Sequence, residues 1–178
     1  MASADGQPIQ CEVNGLTTAL FYVDVAGAQE ELKKAKAAVP DSPLDLVPFP
    51  LSEAFKWWCE DKAMIVPSID AIRAAGAPDG AMPLGQQVPL FACLEMQAES
   101  KDGKPTLPLF FVYDEAKEAM GMALDVDGTA EDKATFKIVN LSLQRAVELL
   151  ATVPSTPAFQ FVTPSSSSEY VASFFGTE

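Results

Sequence analysis

The chain has 178 residues, nearly half of them hydrophobic, enough to bury one good-sized core or two small coupled ones. Lys plus Arg is 12 and Asp plus Glu is 25, a formal net charge of −13. That balance argues against nucleic-acid partners and against docking on anionic lipid by charge alone, and it favours solubility. There is no histidine, so the commonest general base, the His-dependent nucleophile triads and the usual zinc and iron ligands are all missing.

In chain order, "PIQCEV", Pro8–Val13, reads as a short strand ending at Asn14-Gly15, a hairpin turn signal. "TTALFYVD", Thr17–Asp24, is the next strand. Asp24 is placed to cap a helix over Ala26–Lys36, where Glu30 and Lys34 form an i,i+4 pair. "AVPDSP" breaks that helix. "LDLVPF", Leu44–Phe49, reads as a strand, with Pro48 marking an edge or strand end. "LSEAFKWWCE" reads as a helix, because Leu51, Ala54, Phe55 and Trp58 fall on one helical face. "AMIVP", Ala63–Pro67, is a strand. "SIDAIRAAG" is a short helix with Ser68 as its cap and Gly76 as its stop.

The Gly/Pro-rich stretch 77–87 is a linker. After it the order of elements starts again. "VPLFACLEM", Val88–Met96, is a strand, "QAESKDGKPT" a turn, and "LPLFFVYD", Leu107–Asp114, a strand capped by Asp114 into a helix reaching about Leu124. "TFKIVN" is a strand, and "LSLQRAVELLA" a helix with Leu143, Ala146, Val147 and Leu150 on one face. "AFQFVTP" is the last paired strand, and "SSSSEYVASFF" a short helix or turn.

The predicted fold class is therefore α+β, an internal duplication of a strand-strand-helix-strand-helix-strand-helix unit. The halves are 8–76 and 88–174, related by a pseudo-twofold axis. Leu20 maps to Leu109, Val47 to Val139, Ala54 to Ala146, Trp58 to Leu150 and Val66 to Val162.

Nothing in the chain spells a catalytic or metal site. "DVDGTAEDK" begins like a calcium loop, but in that register positions one and twelve are Ala123 and Ala134, so both key carboxylates are absent. "AAGAPDG" lacks the Gly-Lys-Ser/Thr of a phosphate-binding loop, and the serines at 165–168 have no nucleophile elbow and no partner base. The cysteines, 11, 59 and 93, are odd in number and far apart, which gives neither a zinc pattern nor a CxxC pair. Cys11 and Cys93 can pair only if the fold brings their strands together. No catalytic residue, metal or cofactor is therefore expected, and the chain does not read as an enzyme. No run of eighteen apolar residues is present to span a membrane, and "MASADGQP" lacks the charged start and apolar stretch of a secretory signal.

Trp57 and Trp58 are adjacent, so their side chains point about 100° apart on a helix. Trp58 lies on the apolar stripe; Trp57 and its repeat counterpart Leu149 lie beside it. One reading is that both widen a core-facing stripe. The other is that Trp57 and Leu149 mark two partner-binding patches, one per half. On that second reading each helix keeps a complete stripe without them, and Trp57→Ala leaves folding nearly unchanged.

Aligned in this way, the chain resembles the 22-kilodalton component of the translocon at the inner chloroplast envelope (the Tic complex), with its cyanobacterial and apicoplast relatives. The resemblance runs from about Val13 to Tyr170. It rests on "VPLFACLEM", "LPLFFVYDEAKEAM", "FKIVNLSLQRAVELL" and "FQFVTPSSSSEYV", and in the first half on "ALFYVDVAGAQEELKKAK", "LVPFPLSEAFKWW" and "IVPSIDAIRAA". It implies a non-catalytic, chaperone-like plastid protein that is peripheral to a membrane through protein contacts. Its partners would be unfolded precursors in transit across the envelope intermembrane space. An extrinsic structural subunit of a plastid membrane complex such as a photosystem, thylakoid-associated, is the alternative.

Overall fold

The computed structural model describes residues 8, 10–13, 15–41, 43–99, 105–127, 135–153 and 158–176. In chain order its elements are β1 (Gln10–Val13), β2 (Leu16–Tyr22), α1 (Val25–Ala38), α2 (Leu51–Cys59), β3 (Ala63–Val66), α3 (Ile69–Ala74), β4 (Pro89–Cys93) and β5 (Ala98–Glu99). They continue with β6 (Pro105–Phe110), α4 (Tyr113–Asp127), β7 (Ile138–Ser142), α5 (Leu143–Thr152), β8 (Ala158–Val162) and α6 (Ser165–Phe174). The architecture is α+β, with two mixed sheets.

The chain forms two compact units. The first takes the chain up to Ser68, together with Met82–Gln86 and the stretch from Ser165 onward. The second is Ile69–Ala81 with Gln87–Pro164. The two sequence halves and the two spatial units thus differ in two helices: α3 belongs to the second unit and α6 to the first.

In the first unit the strand order is β1-β2-β3. β1 and β2 form an antiparallel hairpin with Val13 opposite Leu16, which leaves a two-residue loop. Gly15 takes φ +80°, the left-handed conformation that such a loop needs; Asn14 lies outside the described residues. β3 returns parallel to β2, with Ala19 opposite Ala63 and Phe21 opposite Ile65. Parallel neighbours require a crossover, and α1 and α2 provide it. Asp24 caps α1 by accepting a hydrogen bond from Gly27 N at 2.9 Å. Lys34, however, pairs with Glu31 one turn back, not with Glu30.

Residues 44–49 do not form the expected strand; apart from a bridge residue at Asp45 the segment is irregular. Pro43, Pro48 and Pro50 flank or interrupt it, and each lacks the N–H that a ladder uses. Pro50 instead serves as the N-cap of α2.

Two helix ends are closed by the same device. At α3, Ala77 N donates to Ile72 O and Gly76 N to Arg73 O, both at 2.9 Å, with Gly76 at φ +99°. At α2, Lys62 N donates to Trp57 O at 2.9 Å and Asp61 N to Trp58 O at 3.1 Å, with Asp61 at φ +57°. A left-handed backbone is costly for a residue with a Cβ, though least so for Asn and Asp. Asp61→Gly is therefore expected to stabilise the protein by about 0.5–1 kcal/mol, read as a higher urea midpoint at unchanged slope. A lower midpoint would show that the Asp61 side chain contributes something that this geometry does not reveal.

In the second unit the strand order is β5-β6-β4-β7, with β8 parallel against β6. β4 is buried along its whole length, which suits its place between β6 and β7. β7 pairs with β4 antiparallel, Phe91 opposite Asn140. The core gathers Phe91, Phe110, Ala116 and Ala71, the last of these carried in on α3. α4 starts at Tyr113, one residue before the expected cap, so Asp114 lies in the first turn, where a carboxylate still suits the helix dipole. Asp125 and Asp127 of the rejected calcium loop belong to the last turn of α4; residues 128–134 lie outside the described residues. Ser142 caps α5 by accepting from Arg145 N at 3.2 Å.

Candidate functional site

β2 sends successive side chains to opposite faces of its sheet. Ala19 and Phe21 share one face; Ala19 is fully buried, and Phe21 is half-buried. α2 lies against β3 and brings Trp57 over this sheet. The irregular segment before α2 places Phe49 between Pro48 and Pro50. The three rings form one cluster. Phe21 and Phe49 stack with centroids 4.6 Å apart, and Trp57 meets Phe21 edge-on at 5.9 Å and Phe49 at 5.6 Å.

This cluster is not sealed. Phe49 is 39 % exposed, as is Val47 beside it, and Trp57 is half-buried. Trp58 is half-buried too and sits edge-on to Phe55 at 5.7 Å. The expectation that Trp57 stands clear of an already complete core stripe needs correcting. Ala54 is the only fully buried side chain of α2, and the indole of Trp57 packs on Phe21 and Phe49.

In the second unit, Leu149 on α5 is half-buried. Leu143 and Ala146 are buried as the periodicity implies, but Leu150 is 45 % exposed. The buried stripe of α5 therefore leaves Leu150 out, against expectation. Val139 on β7 is 40 % exposed. Each unit thus leaves a few large apolar side chains half in water next to the helix that carries Trp57 or Leu149. Sequence reasoning missed Phe49 and Phe21. A large apolar residue held between two prolines, where no ladder can form, was the available signal for Phe49.

The polar chemistry of the molecule is quiet. Cys93 is buried, and its thiol donates to the Glu95 carboxylate at 3.1 Å; burial first, and then that bond, push the thiol pKa up and keep it protonated. Cys11, Cys59 and Cys93 are all free. Among the described residues, no cluster of three or more His, Cys, Asp or Glu is placed to hold a metal, and no helix is long and apolar enough to cross a membrane.

Two tyrosines of the first unit are shifted. Burial, with the charges of Glu31 and Cys11 behind it, pushes the Tyr22 phenol up to about 12, and burial followed by Asp45 raises that of Tyr170. In both, the folded state favours the neutral phenol. The Tyr22 contribution to stability is complete below the ordinary tyrosine pKa near 10 and is lost as pH rises from there through about 12, and that of Tyr170 is lost as pH rises through its own raised pKa. The melting temperature is expected to fall over that window, and Tyr22→Phe to flatten the fall. An identical alkaline profile for Tyr22→Phe would contradict this assignment.

No protein-family model matches the sequence, and neither does any curated protein. Solved structures do match. Tic22 from Plasmodium falciparum superposes with a TM-score of 0.76 at 18 % identity, covering 99 % of this chain and 92 % of that one. Tic22 from Anabaena, described as a protein of protein transport, superposes with a TM-score of 0.70 at 15 % identity, covering 96 % of this chain and 88 % of that one. The chain thus has the fold of the Tic22 proteins over nearly its whole length.

Proposed function

We propose that the chain is a non-catalytic protein-transport factor of the plastid, peripheral to an envelope membrane, that holds polypeptide segments in transit in a chaperone-like manner. The observation that carries this reading is the Tic22 fold, matched along 99 % of the chain to the Plasmodium falciparum protein. The apolar side chains left half in water support the mode of binding. Phe49, Val47 and Trp57 in the first unit and Leu149, Leu150 and Val139 in the second present non-directional contacts. Such contacts suit partners that share hydrophobicity and not sequence. The formal charge of −13 complements basic segments and keeps a protein with exposed apolar groups soluble.

Internal duplication is part of this proposal. In both sheets a strand is antiparallel to one that precedes it and parallel to one that follows two helices later: β1, β2 and β3 in the first, β4, β6 and β8 in the second. Val47 and Val139, which the alignment equates, are exposed to nearly the same degree, 39 % and 40 %. On this reading the duplication yields two similar apolar faces, with Trp57 and Leu149 at equivalent places.

The test is cross-linking and native co-purification from plastid membranes. Recovery of import components and precursor chains, from the envelope intermembrane space, supports the proposal. Recovery of photosystem subunits from thylakoids in their place would favour an extrinsic structural subunit and overturn it.

A further inference from the structure

Helix α6, like α1, buries no residue, and side-chain hydroxyls tie it to the first unit. None of its ten residues is buried, and only Ser167 and Tyr170 are half-buried. Those same two side chains make long-range hydrogen bonds to backbone. Ser167 Oγ accepts from Val25 N at 3.1 Å, an amide at the start of α1 that has no partner within its own helix. The Ser167 hydroxyl also donates to Val23 O at 3.5 Å. The Tyr170 hydroxyl donates to Leu46 O at 3.0 Å. The apolar residues of its outer end, Val171, Phe174 and Phe175, stay in water. α3 shows the contrast: it is shorter, yet it buries Ala71 and Ile72.

A ten-residue helix is marginal on its own in water, and its order comes from what it packs against. Here Ser167 and Tyr170 anchor it to backbone and none of its side chains is buried, so it belongs to the less stable part of the unit. One of those anchors fixes Leu46, in the irregular segment that the prolines keep out of the sheet. That segment continues directly into Val47 and Phe49, the exposed edge of the aromatic cluster.

We propose that α6 is a displaceable strap. Docked, it ties the Leu46–Phe49 segment in place beside the half-open aromatic cluster; released, it frees that segment to move aside and receive an extended apolar polypeptide. The strap itself follows from the packing of α6, whereas the role of its release rests on the polypeptide-binding reading above.

The two parts are tested separately on the full chain. Amide hydrogen exchange is measured on the wild type and on Tyr170→Phe, which keeps the ring against Phe174 and removes one hydrogen bond. The amides of α6 are expected to exchange at least about tenfold faster than those of β2 and β3. Tyr170→Phe is expected to speed α6 and residues 44–50 about fivefold more, leaving β2 and β3 unchanged. Exchange of α6 in step with β2 and β3 would overturn the strap, and so would a Tyr170→Phe that speeds all elements equally or leaves residues 44–50 unchanged.

The second arm titrates both proteins with reduced, carboxymethylated lactalbumin, a permanently unfolded chain. Tyr170→Phe is expected to bind it several-fold more tightly. Equal affinities would overturn the gating role alone. No binding by the wild type would remove both that role and the polypeptide-binding reading, and the exchange result would still decide the strap.

Discussion

Phe91→Ala is expected to cost about 3–5 kcal/mol of stability, the largest effect of any single truncation considered for this protein. Phe91 is 1 % exposed in the middle of β4, and its ring meets Tyr113 edge-on at 5.4 Å. Its cluster partners come from three other elements: Ala71 from α3, Phe110 from β6 and Ala116 from α4. Two of these are alanines, which cannot reach into the space that a lost phenyl ring leaves, so the site collapses poorly and the cavity term is large. Against the 5–15 kcal/mol typical of a folded domain, this is a large fraction of the total. Urea denaturation followed by circular dichroism measures it. A cost under about 1 kcal/mol would mean that the second unit has its centre elsewhere.

Trp57→Ala is expected to act on two quantities at once. Its ring pairs with Phe21 and Phe49 contribute about 0.5–1.5 kcal/mol each beyond area burial, but the indole is only half-buried. A loss of about 2 kcal/mol in stability is expected, below the 3–5 kcal/mol of a fully buried tryptophan. Polypeptide binding is expected to weaken by one to two orders of magnitude, as the loss of about 1.5–3 kcal/mol of apolar contact implies. Because the two effects overlap, Phe49→Ala separates them better, since Phe49 is more exposed than Trp57. If Trp57→Ala cost several kcal/mol in stability with unchanged binding, the residue would be a core residue and nothing more.

The features legible in the sequence are those set by local chemistry. The Asp24 cap, the Gly15 turn and the Gly76 stop each depend on one residue whose conformation or side-chain oxygen does one thing. Most strands are legible too, because alternation and apolar runs mark strands whatever their neighbours, but of the pairings only the Asn14-Gly15 hairpin is. Segment 44–49 has the apolar content of a strand, but the missing N–H groups of Pro43, Pro48 and Pro50 outweigh it. Leu150 departs from expectation for a different reason: periodicity fixes which residues share a face, but not how far the core reaches around it. The destinations of α3 and α6 were not legible at all. A six-residue helix with two apolar residues carries no mark of which core it enters, and α6 is held by hydroxyls that sequence alone cannot pair with Leu46 or Val25.

On the proposed function, the half-exposed aromatic side chains of the first unit bind unfolded polypeptide. The most direct measurement is the affinity of wild type and Phe49→Ala for reduced, carboxymethylated lactalbumin, with the stability of both proteins measured alongside. The wild type is expected to bind it, Phe49→Ala about tenfold more weakly, with a stability change of no more than about 1–2 kcal/mol. Equal affinity in the two proteins, or no binding by the wild type, would contradict it.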